Sequence, residues 1–148
     1  MEDVDLLLEM YKLQVSRSEH FERLRSSISS LVLTLAVALI GIATYELQID
    51  ASDAVVGAAI VLIGIFGNIA SSLHSRRAER HGTTAGEYRE AIDKLMPTAK
   101  IDEIHSGVRA DYDRTHINLL WAKLHWAIIG AGALIMVMAI VPTIFSIP

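Results

Sequence analysis

Six histidines are the side chains of this 148-residue chain best suited to chemistry: His20, His74, His81, His105, His116 and His125. A metal site on one helix uses two histidines four residues apart with a carboxylate nearby. His74 and His81 are seven apart, about 10 Å along a helix axis at 1.5 Å per residue. That is too far for one shared ion, so these imidazoles read as solvated groups at a membrane interface. The chain has no Cys, which removes disulfides, thiolate nucleophiles and thiolate metal sites together. No Ser stands in a nucleophile-elbow context, and no Gly-rich phosphate loop follows a strand. Asp102, Glu103, Asp111 and Asp113 cluster in sequence, but Arg109 and Arg114 lie close enough to pair with them on a solvated helix face. The expectation is a protein that is not an enzyme, with no catalytic residue, no cofactor and no metal site.

The elements that would carry these residues are set by charge. All 13 Lys and Arg fall within residues 1–25 and 76–123. Residues 26–45, 54–75 and 124–148 hold no Asp, Glu, Lys or Arg. A helix crosses the hydrocarbon with about 20 apolar residues, and short cation-rich segments stay on the cytoplasmic side. The linker between the first two apolar stretches carries Glu46, Asp50 and Asp53 with no cation. Three spans follow, with the N-terminus inside, a short acidic loop outside, a long loop inside and the C-terminus outside. The formal net charge of −4 hides this pattern. No basic run exists to bind nucleic acid, because Arg76, Arg77 and Arg80 are followed by Glu87, Glu90 and Asp93. The six acids in the first 25 residues, and Tyr45-Glu46-Leu47 where small residues would be needed, favour a retained signal anchor over a cleaved signal peptide.

Residues 1–25 read as a cytoplasmic amphipathic helix with a stripe of Leu6, Met10, Leu13, Leu24 and Ile28, Arg17 and His20 lying between. No Gly or Pro interrupts it before Gly41, so it is expected to run unbroken into the first span. Ser26, Ser27, Ser29 and Ser30 dot the inner end of that span, where hydroxyls can bond to carbonyls one turn back. Residues 26–75 form a transmembrane hairpin with spans at about 26–46 and 54–75. Ser27, Thr34 and Gly41 recur every seven residues in the first span, and Gly57, Gly64 and Ser71 in the second. In lipid, helices associate by close backbone approach, so small residues mark contact faces. The two stripes are expected to face one another or a neighbouring subunit. Asn68 is the one strongly polar residue well inside a span, suited to an interhelical hydrogen bond or to lining a pore built by several subunits. Tyr45, Trp121 and Trp126 sit where aromatic belts anchor spans at the two interfaces.

Residues 76–123 read as a cytoplasmic helical loop. Gly82 is expected to break the helix leaving the second span. Thr84-Ala85-Gly86-Glu87 has the form of a capping box opening another, with Tyr88, Ile92 and Leu95 on one face and its end before Pro97. A stripe of Ile104, Val108, Tyr112, Thr115 and Leu119 then leads into the third span, residues 124–148, with Gly107 as a weak point. Pro142 is placed to kink or end that span.

The stretch from Tyr11-Lys12-Leu13 to Gly41, the hairpin, Glu87-Tyr88-Arg89 and Leu120-Trp121-Ala122-Lys123-Leu124-His125 resemble small bacterial multi-pass proteins described as RipA-like octameric membrane proteins. The first helix and hairpin also resemble SLATT domains, two-span modules thought to act as membrane effectors in bacterial defence; a third span departs from that plan. The resemblance implies an oligomer without catalytic residues.

The expected protein is an all-α integral membrane protein. It has three transmembrane helices with cytoplasmic helical extensions and assembles as a symmetric homo-oligomer in the bacterial inner (plasma) membrane. Its expected partners are the lipid bilayer, further copies of itself and a soluble cytoplasmic protein, not nucleic acid. The leading function is an oligomeric scaffold or membrane effector. The alternatives are a pore formed by the oligomer and an accessory subunit that recruits a soluble partner.

Overall fold

The computed structural model of the chain describes residues 2–45, 49–101, 103 and 114–145. Its elements are α1 (Glu2–Ala43), α2 (Asp53–Leu95), a 3₁₀ turn (Pro97–Ala99) and α3 (Arg114–Phe145). All three α-helices are long and apolar enough to cross a membrane. As expected from the absence of Gly and Pro, α1 continues from the N-terminal stretch into the first apolar segment without a break.

The hairpin owes its sharp turn to local chemistry. Thr44 N–H and its hydroxyl both donate to the Ile40 carbonyl, at 3.0 and 2.9 Å, which closes α1. Asp50 then caps α2: its Oδ1 accepts from Ser52 N–H at 2.7 Å and from the Ser52 hydroxyl at 2.6 Å. Asp53 Oδ2 in turn accepts from Asp50 N–H at 3.0 Å. This is a reciprocal capping box, and Asp53 places negative charge at the positive end of the helix dipole. The Ser52 hydrogen bonds favour the charged carboxylate of Asp50 and hold its pKa below the ordinary range.

At its other end α2 stops at Leu95, before Pro97. Lys100 then takes the left-handed conformation with φ 48°. Asp93 Oδ1 accepts from Ile101 N–H at 2.8 Å, tying the turn back to the helix.

Three sequence expectations are overturned in whole or in part. Gly82 does not interrupt α2, and Thr84 caps nothing. The Thr83 and Thr84 hydroxyls donate instead to the Glu79 and Arg80 carbonyls at 3.1 Å, inside a continuous helix. Buried Ala78, Ala85 and Ile92, seven apart, hold this stretch helical by packing. The stripe assigned to the N-terminal helix holds only in part: Leu6 and Leu13 are 61% and 42% exposed, whereas Met10 and Leu24 are half-buried and Ile28 packs against the core. The inward set also includes Gln14, Ser18 and Phe21, which have specific partners. Finally, α3 continues past Pro142 to Phe145, so Pro142 does not end it. The stripe residues Ile104, Val108 and Tyr112, and Gly107, lie outside the described residues.

The chain divides into two compact units, one of Met1–Arg25 and Leu73–Asn118 and the other of Ser26–Ser72 and Leu119–Pro148. In the first, α1 and α2 run antiparallel: Gln14 meets His81, Ser18 meets Ala78 and Arg25 meets Ser75. The second is a three-helix unit with a core of Val32, Ala36, Ala43, Ile60, Ile128 and Ile135. There α2 and α3 are antiparallel, because positions 57, 64 and 67 approach residues 136, 129 and 125 in that order. The hairpin makes α1 antiparallel to α2, so α1 and α3 point the same way.

Candidate functional site

Glycine sets how closely the helices of the three-helix unit approach. A Cβ at Gly57 would lie 2.8 Å from the Gly132 carbonyl oxygen, and one at Gly132 would lie 2.7 Å from the Gly57 oxygen. The two backbones touch there. A Cβ at Gly64 would lie 2.7 Å from Ile129 Cγ1. The second stripe of small residues therefore packs on α3 rather than on the first stripe, and Ser71 at its end is buried. Ser27, Thr34 and Gly41 are exposed. The Thr34 hydroxyl donates to its own Ser30 carbonyl at 2.9 Å, and a Cβ at Gly41 would meet nothing within 4 Å. The expectation that the two stripes face one another fails because Gly132 and Ile129 of α3 claim Gly57 and Gly64.

Gly67 lies against His125, since a Cβ on residue 67 would meet its imidazole. The imidazole is fully buried, not solvated as its interfacial position suggested. Its Nδ1 lies 2.7 Å from the Trp121 carbonyl oxygen. A carbonyl can only accept, so Nδ1 donates this bond, and in the tautomer with its single proton there Nε2 is left as a lone pair. Among the described residues neither Nε2 nor the hydroxyl of fully buried Ser29 has a hydrogen-bond partner. An unsatisfied buried polar group costs about 1–3 kcal/mol, so each of the two calls for a partner. Asn68, beside Gly67, is half-buried. Trp121 is half-buried, and Tyr45 and Trp126 are 85% and 63% exposed, available to surrounding lipid.

The other unit holds a second cluster. The Phe21 ring stacks on His81, centroids 5.5 Å apart and planes 4° apart, and on His74 at 5.9 Å and 26°. The Arg77 guanidinium stands 5.7 Å from the same ring. His81 Nδ1 lies 2.7 Å from Gln14 Oε1, with the amide oxygen accepting. Phe21 thus occupies the gap that the seven-residue spacing opens between the two imidazoles, and both are half-buried rather than solvated. The carboxylates Asp102, Asp111 and Asp113, with His105, lie outside the described residues.

Gly67, Gly132, Ser18 and Phe21 escaped sequence reasoning, and the Ser29 hydroxyl, expected to bond a carbonyl one turn back, has no such partner. Gly132 sits in Gly130-Ala131-Gly132-Ala133, a small-residue run that signals close approach once small residues are sought in every span. Ser29 and Ser18 carry no such signal, because burial of a single Ser depends on helix phase. No protein-family model, curated protein or solved structure matches the chain. The likeness to RipA-like and SLATT proteins stands on the quoted motifs alone.

Proposed function

We propose that this protein is a self-assembling scaffold or effector of the inner (plasma) membrane, without chemistry of its own. The observation that carries this reading is the unused small-residue face of α1. Ser27, Thr34 and Gly41 are exposed while the equivalent face of α2 is consumed by α3. In lipid, apolar surface alone gives helices no reason to associate, whereas small residues permit the close packing that does. The face on α1 is suited to the same helix of another copy. Positive-inside charge puts residues 1–25 and 76–123 in the cytoplasm and the C-terminus outside, and the motif likeness to octameric proteins agrees with assembly.

The chain has no Cys, so single cysteines report proximity cleanly. Thr34→Cys and Gly41→Cys should cross-link between copies in native membranes, while Ile65→Cys, exposed on α2, should not. Equal cross-linking at all three positions would deny a specific face.

A second reading, a pore formed by the oligomer, rests on Asn68, a polar side chain only half-buried within the second span. Ion flux through liposomes that Asn68→Leu abolishes would select it over a scaffold. Co-purification of a soluble protein dependent on residues 76–123 would select the accessory-subunit reading.

A further inference from the structure

We infer that the three-helix unit contains a built site for one internal water molecule, held between His125 Nε2 on α3 and Ser29 Oγ on α1. The geometry places the two groups at adjoining levels of the unit. A Cβ at Gly67 would lie 2.7 Å from His125 Nε2 and 2.9 Å from Val32 Cγ1, so Val32, Gly67 and the imidazole form one layer. Ser29 is three residues before Val32 on the same buried face of α1, about 4.5 Å along the axis. The Nδ1–Trp121 hydrogen bond draws the imidazole toward the N-terminal end of α3. Because α1 and α3 are parallel, that tilt is from the Val32 level toward the Ser29 level. Ser71, four residues beyond Gly67 on antiparallel α2, brings a second buried hydroxyl to the same end.

The chemistry of the donors selects the occupant. Nε2 offers a lone pair and needs a donor, and Ser29 Oγ can accept or donate. A water can satisfy both at once, and internal waters characteristically make two to four such bonds. A metal ion is a poor fit, because a single imidazole and neutral hydroxyls supply too few strong ligands. Gly67 contributes by absence: any side chain there would occupy the space the imidazole fills.

The test is nuclear magnetic resonance on the full chain in bilayers or mild detergent, with ¹⁵N-labelled histidine and His125 assigned through its backbone. The expected result has two parts. His125 is protonated at Nδ1, with Nε2 showing a hydrogen-bonded shift and a persistent cross-peak to water. Ser29→Ala, a small change inside a helix, moves the Nε2 resonance toward the value of a lone pair without a donor. A wild-type Nε2 with no water cross-peak, from a bare lone pair or a direct hydroxyl contact, overturns the proposal. So does an Nε2 resonance indifferent to Ser29→Ala.

Discussion

Gly67 and His125 are fitted to one another: a Cβ on residue 67 would lie 2.5 Å from Cδ2 of the imidazole. The ring, not the helix backbone, fills the space that glycine leaves between α2 and α3. Gly67→Ala must therefore expel the ring or separate the helices. Overpacking of this kind costs about 1–3 kcal/mol, read as a lowered melting temperature in detergent. Gly130→Ala, where a Cβ meets nothing within 4 Å, should not lower it.

Gly57 and Gly132 form one contact seen from both sides. Each alanine substitution should destabilise the three-helix unit, since each new Cβ would lie within 3 Å of the other glycine's carbonyl oxygen. Once one Cβ has forced the helices apart, the second should add little. The expected coupling in a double-mutant cycle is about 0.5–3 kcal/mol. Strictly additive losses would mean that the two sites do not share a contact. Gly86→Ala, in open space within α2, should instead stabilise by about 0.5–1 kcal/mol through helix propensity.

How much of this was legible in the sequence follows the kind of force involved. Charge-free length wrote the three long helices plainly, and Pro97 marked the end of α2 because a ring before a helix turn acts locally. Gly82 and the Thr84–Glu87 pattern misled because burial of Ala78, Ala85 and Ile92 outweighs a glycine's cost of about 1 kcal/mol within a helix. The phase of the α1 stripe was hidden for a different reason. Gln14 and Ser18 face inward through individual hydrogen bonds and Phe21 through stacking on two imidazoles, and no periodicity in α1 alone encodes those partners. The Asp50–Asp53 box was readable in its residue types but was overlooked among the acids used for topology.

Phe21 joins α1 to α2 through two imidazoles, whereas Ser18 does so through one hydrogen bond to the Ala78 carbonyl at 2.9 Å. Ser18→Ala should cost about 0.5–1.5 kcal/mol. Phe21→Ala removes a large ring and should cost more, about 3 kcal/mol at the lower end for truncation of a core aromatic. Amide hydrogen exchange across residues 74–85 should accelerate strongly in Phe21→Ala and modestly in Ser18→Ala. The reverse ranking would place the main link elsewhere.

Asp50 gives a pH dependence of known sign. Its folded carboxyl pKa lies below the ordinary 3.8, first because of the Ser52 hydroxyl and next the Ser52 amide. The capping contribution is therefore present above 3.8 and is lost as the pH falls through the lowered folded value. Ser52→Ala keeps the amide bond and removes the hydroxyl, so the Asp50 pKa should rise partway toward 3.8. Carboxyl ¹³C titration of Asp50 in both proteins measures this directly; identical curves would show that the hydroxyl has no part in the cap.

Self-assembly decides every functional reading, because the exposed face of Ser27, Thr34 and Gly41 has a role only if another copy covers it. The most direct measurement is the mass of the purified protein in mild detergent, set against the 16.2 kDa chain. A single defined multiple of that mass is expected, shifting to smaller species when Thr34 and Gly41 are replaced by Leu. A monodisperse monomer under conditions that preserve the helices would contradict the account.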